Sequence, residues 1–148
     1  MAATAFLSPR LTGRPVIWDR EEGPVASEAR SPRVRQRALH LSRALDALGV
    51  RAGQRVLVLC CAAHAEDRQV ALSAIEALGA AAVVPVDWSV SALSELFSRS
   101  GPQAVHLACE EGVEAWRAAR GTGIMIGDGL GVLWWKALEC RYAAAEPA

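Results

Sequence analysis

Several things are scarce in this chain, and each scarcity excludes something. Aromatic residues make up 5% of the 148 positions, so the core has to be built mainly from Ala, Val and Leu within a hydrophobic fraction of 52%. Net charge is zero, with 16 basic residues against 16 acidic ones, which argues against a general binder of nucleic acid or of anionic membranes. Lysine is nearly missing. Only Lys136 is lysine and the other basic residues are arginine, a bias that goes with heavy Ala and Gly usage in a GC-rich genome and carries no mechanism. No apolar run approaches the roughly 20 residues of a membrane span, and no early stretch joins a basic start to a long apolar core. A cytoplasmic protein without a membrane partner is expected. The four cysteines, Cys60, Cys61, Cys109 and Cys140, form no CxxC and read as having no histidine at metal-ligand spacing. They read as small buried hydrophobes of a reducing cytosol. Neither GxSxG nor HExxH occurs.

What is present is organised around Arg55 to Asp87. Val56 to Ala63 is a nearly unbroken apolar run, the pattern of a strand buried on both faces. Cys60 and Cys61, adjacent in that strand, would point to opposite faces. Glu66 and Asp67 fall in the first turn of a helix, where acids suit the positive end of its dipole. Val70, Ala71, Ala74, Ile75 and Leu78 continue at helical spacing, and Gly79 stands at the C-cap. A second apolar run, Ala80 to Val86, stops at Asp87. Strand, helix, strand at this length is a βαβ unit, which closes onto a parallel sheet.

The flanks extend this plan. Residues 1–12 carry no periodic signal and read as a flexible arm; residues 13–142 read as one α/β domain, and residues 143–148 as a disordered tail. Arg14 to Trp18 reads as a short strand, and Val25 to Glu28 as a second. Ser31-Pro32 starts a helix with the stripe Val34, Ala38, Leu41, Leu45 and Leu48, ending at Gly49. Its arginines, Arg33, Arg35, Arg37 and Arg43, read as a solvated face; docking of phosphate or an acidic partner is the functional alternative. Ser89 to Ser100 is a further helix, and Gln103 to Ala108 a strand. Gly112 to Ala119 follows as a helix with Val113 and Trp116 inward, then Gly123 to Ile126 as a strand. The last helix is placed at Val132 to Tyr142.

In an open parallel sheet, ligands bind beyond the carboxyl ends of the strands. His64, Asp87, Glu110 and Asp128 each follow a strand and so form the candidate rim. One imidazole and three carboxylates could bind a metal or move protons, but acids also cap helices at such loops. Gly127-Asp128-Gly129-Leu130-Gly131 sits between strand and helix, the setting of a phosphate loop. It lacks both the GxGxxG spacing and a GK[ST] ending, so a plain Gly-rich turn is the simpler reading of Gly127 and Gly129. Trp134 and Trp135, on the last helix, would point about 100° apart, leaving one ring for a partner interface.

Leu45-Asp46-Ala47-Leu48-Gly49-Val50-Arg51-Ala52-Gly53-Gln54-Arg55-Val56 resembles a signature of the adenylate-forming enzymes: acyl-CoA synthetases, peptide-synthetase adenylation domains and luciferases. Ala77-Leu78-Gly79-Ala80 resembles the family's "KAGA", and Val84-Pro85-Val86-Asp87 its "VPLDP". Ser98 to Val105 resembles "EDSGAKAVI", and Val16-Ile17-Trp18-Asp19 fits the early strands. The match runs from Gly13 to Ile126, about the first quarter of a full member. Where members carry "NSPE", this chain has Ala63-His64-Ala65-Glu66, of which only Glu66 survives. The family's Ser/Thr/Gly-rich phosphate loop with its lysine, its adenine and ribose contacts and its C-terminal lysine lie downstream of the matched region. The resemblance therefore implies a three-layer α/β sandwich with a mostly parallel sheet, like the N-terminal subdomain of an acyl-CoA synthetase. It carries over no catalytic residue, cofactor or metal. The expected function is a free-standing, non-catalytic binding or assembly module that pairs with itself, as a dimer, or with another protein chain. A subunit of a split AMP-forming acyl ligase and a small-molecule binding protein are the alternatives.

Overall fold

The computed structural model describes residues 16–18, as backbone, and 31–144. Its strands are β1 (Val16–Trp18), β2 (Arg55–Leu59), β3 (Ala81–Val84), β4 (Val105–Ala108), β5 (Ile124–Gly127) and β6 (Leu133–Trp134). Its helices are α1 (Pro32–Ala47), α2 (Ala65–Ala77), α3 (Val90–Ser100), α4 (Glu110–Ala118) and α5 (Trp135–Ala144). The strands form one sheet in the order β1-β3-β2-β4-β5-β6, and every neighbouring pair is parallel.

Strand alternation sorts the core into two layers. Val56 and Val58 of β2 pack with α1 and α2 residues such as Leu41, Leu45, Val70 and Ile75. Leu57 and Leu59, one residue out of phase, pack with Leu93 and Phe97 of α3 and Val113 of α4. Both faces of β2 are thus covered, which is why its sequence shows no polar alternation. The result is the expected three-layer sandwich, with a sheet that is wholly parallel among the described residues.

Local signals act as read. The Ser31 hydroxyl accepts the Val34 N–H at 3.1 Å and Pro32 opens α1. Gly49 follows α1 with φ +100°, a conformation that disfavours side chains. Ser89 caps α3 by accepting the Ala92 N–H. Other boundaries move. β2 stops at Leu59, well before Ala63, because Leu59–Ala108 is its last register pair with β4; the Cys109 N–H then bonds the Leu59 carbonyl at 3.0 Å. α4 begins at Glu110, two residues before the expected Gly112, with Cys109 at its N-cap.

The largest departure is at the C-terminus. Trp134 is not helical: Leu133 and Trp134 form β6, which pairs with Ile126 and Gly127, and α5 begins only at Trp135. α5 also runs through Ala144, so residues 143 and 144 are helix and not tail. The expected arm at 1–12 and the strand at 25–28 lie outside the described residues, as do residues 145–148.

The arginine face of α1 is not simply solvated either. The Arg37 side chain is 14% exposed and grips Glu139 of α5 with two bonds, Nε to Oε1 at 2.8 Å and Nη2 to Oε2 at 2.9 Å. The same guanidinium reaches Asp67 at 3.0 Å and Glu66 at 3.4 Å on α2. The Trp135 indole N–H donates to Glu139 Oε2 at 2.7 Å, completing the buried carboxylate's shell. Burial alone would pull the Arg37 pKa down; hydrogen bonds and charge from Glu139 and Asp67 overcome it and hold the group more firmly charged. One residue therefore joins three helices through charge-assisted, partly bidentate bonds. Arg37→Ala would leave Glu139 buried without its counter-ion and is expected to cost about 3–5 kcal/mol in urea unfolding. Arg33→Ala, which removes an exposed pair with Glu66, is expected to stay within the roughly 0–1 kcal/mol of surface ion pairs. Equal losses in the two variants would show that the buried network is not the stabilising one.

Candidate functional site

The carboxyl edge of the sheet is where loops following β2, β4 and β5 meet. After β2 the chain makes one 3-10 turn, Ala62–His64, and enters α2. After β4 it enters α4 directly. That helix lies close on the sheet because residue 112 is glycine: a Cβ there would strike the Leu59 carbonyl oxygen and come within 2.7 Å of the Leu59 Cβ. After β5 comes the turn Asp128 to Val132.

Three of the four expected rim residues gather here. His64, Glu110 and Asp128 border a small cleft of about 80 Å³, together with Gly127, Asp67 and Lys136. Asp87 does not join them. It follows β3, which lies on the far side of β2, and its carboxylate accepts the Ser89 N–H at 2.9 Å at the start of α3. That is a capping role. Gly127 is required by packing, since a Cβ there would sit 2.6 Å from Val113 Cγ2 and 2.9 Å from the Ala108 carbonyl oxygen. Gly129 has φ +130° and lies against Arg117, whose guanidinium donates to the Leu130 carbonyl. The glycine loop is thus a turn tied down by α4.

Beside the cleft, the fold assembles a group that the sequence reading missed. Cys61, His64, Cys109 and Glu111 place one donor atom each within 4.8 Å of one another. The two sulfurs are 3.8 Å apart, Cys61 Sγ lies 3.8 Å from Glu111 Oε1, and His64 Nε2 lies 3.1 Å from the same oxygen. Cys109 is buried, Cys61 and His64 are half-buried, and Glu111 faces solvent. Glu111 is held below the usual carboxylate range, first by its own backbone N–H at the start of α4 and next by the Cys109 thiol. Burial pushes the Cys109 thiol up. A sequence signal did exist: Cys61 and His64 stand in C-x₂-H spacing. Its other half, Cys109-x-Glu111, lies almost fifty residues on, and only the β2–β4 pairing brings the two together.

Trp134 and Trp135 divide as expected in exposure, though not for the expected reason. Trp135 is buried and Trp134 is 63% exposed on the edge strand β6. At the opposite end of the sheet, a cavity of about 940 Å³ is lined in part by Leu57, Val83, Leu96 and Ile124, with Arg55 and Arg99. It is the larger hollow but contains none of the rim's donors.

No protein-family profile and no curated protein sequence matches the chain. Solved structures do. An anthranilate CoA ligase in complex with anthranoyl-AMP superposes with a TM-score of 0.64 at 20% identity, over 73% of this chain and 22% of the ligase. A benzoate CoA ligase from Burkholderia xenovorans gives 0.62 at 19% identity, over 94% of this chain and 28% of that one. The N-terminal domain of FACL13 from Mycobacterium tuberculosis gives 0.56 at 21% identity, over 78% and 29%. The fold is that of the acyl-CoA ligase N-terminal subdomain. The chain spans about a quarter of the length of the ligases it matches, and at these identities the likeness concerns architecture alone.

His106 of β4, inside this ligase-like sheet, is a structural residue and not a rim ligand. It is fully buried, stacks edge-on to Phe97 with ring centroids 5.2 Å apart, and shares its Nε2 proton with the Thr122 carbonyl at 3.2 Å. Its Nδ1 has no partner. Burial lowers its pKa from 6.5 to about 4, against the opposing pull of the Thr122 carbonyl. A histidine with a depressed folded pKa binds its proton more readily when unfolded. Its contribution is complete above pH 6.5 and is lost as the pH falls toward 4, by up to about 3 kcal/mol. Denaturation midpoints measured between pH 7 and 4 are expected to fall more steeply for the wild type than for His106→Phe. Parallel curves would place the acid sensitivity elsewhere.

Proposed function

We propose that the chain works as a free-standing, non-catalytic binding or assembly module on the ligase N-terminal fold, self-associating as a dimer through its β6 edge. The observation carrying this reading is the apolar end of the sheet, where Leu130 is 85% exposed, Trp134 63% and Leu133 38%. β6 is the last strand of the order, and an edge strand is a template for pairing. Trp134 is also preset: its indole N–H donates to the Gly129 carbonyl at 3.3 Å, and ordered aromatics of this kind anchor interfaces. Zero net charge removes long-range repulsion between copies, and two-fold closure is the commonest way to cover such a patch.

Against catalysis by this chain alone stands its chemistry. Adenylation needs positive charge preorganised around the transferring phosphoryl group. The one lysine, Lys136, lies 3.6 Å from Asp67, and the glycine loop is tied to α4 through Arg117. A second reading, a subunit of a split AMP-forming acyl ligase completed by another chain, rests on the 22–29% of ligase length that the fold spans. A small-molecule site at the rim is disfavoured by size, since about 80 Å³ is far below the roughly 300–1,000 Å³ of ligand pockets.

Sedimentation equilibrium at micromolar concentration tests the assembly reading. The wild type is expected as a dimer and Trp134→Ser as a monomer. A monomeric wild type overturns the reading, and a dimeric Trp134→Ser moves the interface away from β6. In the same preparation, pyrophosphate exchange into ATP with added carboxylates is expected to match a protein-free control.

A further inference from the structure

The geometry points to a tetrahedral site for a thiophilic divalent cation, zinc first, formed by Cys61, His64, Cys109 and Glu111 on the carboxyl rim. The argument starts from the donor set. Two thiolates and an imidazole are the ligands that zinc takes in closed, four-coordinate sites, and a carboxylate completes the number without changing the geometry. Harder ions such as magnesium and calcium prefer six or more oxygens, and only Glu111 supplies them here.

The spacing fits as well. In a regular tetrahedron each edge is about 1.6 times the metal–ligand bond, so Zn–S bonds of about 2.3 Å require sulfurs about 3.8 Å apart. Cys61 Sγ and Cys109 Sγ are separated by 3.8 Å. Zn–N and Zn–O bonds of about 2.1 Å require an N–O edge of about 3.4 Å, against 3.1 Å between His64 Nε2 and Glu111 Oε1. A few tenths of an ångström of side-chain rotation closes that edge, and the remaining donor pairs, all within 4.8 Å, close by up to about an ångström. In the metal-free chain that short contact is a hydrogen bond between His64 and Glu111; in the occupied site both lone pairs turn to the ion.

The scaffold around the four is rigid where it must be. Cys109 is held by its N–H bond to Leu59 and by the start of α4. Cys61 and His64 bracket a single 3-10 turn whose closing bond runs from the His64 N–H to the Cys61 carbonyl at 2.9 Å. Glu111 is the exposed member, so the ion enters from its side. With four protein ligands the site is a clamp between the β2–α2 and β4–α4 loops, and no open coordination position is left for chemistry. Binding converts two thiols to thiolates and releases about two protons, so affinity rises with pH. This inference is independent of the assembly reading, because its ligands lie on a different edge from β6.

The test is cobalt(II) titration of the full, reduced 148-residue chain, followed by absorbance. One equivalent of cobalt is expected to produce the intense visible bands of a tetrahedral ion and a thiolate-to-cobalt charge-transfer band, both erased by one equivalent of zinc. Cys61→Ser and His64→Ala, changed at half-exposed positions and checked for folding by circular dichroism, are expected to weaken cobalt binding more than about 100-fold, beyond the loss of an outer-shell partner. Glu111→Gln is expected to keep the charge-transfer band with weaker affinity, and Cys140→Ser, at an exposed cysteine on α5, to bind as the wild type does. Zinc is expected to raise the melting midpoint of the wild type and not of Cys61→Ser. Absence of the bands in folded, reduced wild type overturns the proposal. So does their survival in Cys61→Ser, or a Cys61–Cys109 disulfide whose reduction restores no cobalt binding.

Discussion

Everything in this molecule follows from a parallel sheet that has to be covered on both faces. β2 to β5 offer almost no polar side chain to water, and parallel connections deliver helices to both sides. Because strands advance in one direction, every loop after a strand arrives at the same edge. β2 and β4 are neighbours in the order although a whole strand and two helices separate them in sequence. The rim chemistry is a consequence of that adjacency. Cys61 and His64 leave β2, Cys109 and Glu111 leave β4, and the rung from Cys109 to Leu59 brings the two pairs side by side.

Two ionisable groups, half-buried Arg37 and fully buried His106, meet desolvation in opposite ways. Arg37 is half-buried with its partners arranged around it: Glu139, Asp67 and, through Glu139, the Trp135 indole. Its charge is retained because desolvation is more than offset by several charge-assisted bonds. His106 has one carbonyl partner and an orphaned Nδ1, so burial wins and the ring stays neutral. Arg37 has several charged partners and is less deeply buried; His106 has one carbonyl partner and no exposure.

The likeness to CoA ligases concerns the scaffold. The matched structures share the order of strands and helices at about one residue in five, over about a quarter of their length. The residues with chemistry lie at the margins of that scaffold: Cys61 and His64 after β2, Cys109 and Glu111 at the start of α4, and the apolar terminal strand Leu133–Trp134. Such loop, helix-start and edge positions are where chemistry can vary on a shared scaffold.

The sequence by itself determined the layers and most helix ends. Apolar runs without alternation in β2 and β3, the 3.6-residue stripe of α1, Ser31-Pro32 and Gly49 are local signals, and local physics obeyed them. The glycine loop, read as a plain turn, is one, and His64, Glu110 and Asp128 share the predicted rim. Tertiary structure alone decided the rest. Asp87 stays on the carboxyl edge but apart from the other three because β3 sits beyond β2, a matter of strand order that no local pattern encodes. Trp134 became a strand residue because its backbone pairs in register with Gly127 of β5. Arg37 was drawn inward by a carboxylate 102 positions away. The Cys61–His64–Cys109–Glu111 group exists only after folding, since its two halves are ordinary loop residues until a pair of parallel strands sets them 3.8 Å apart.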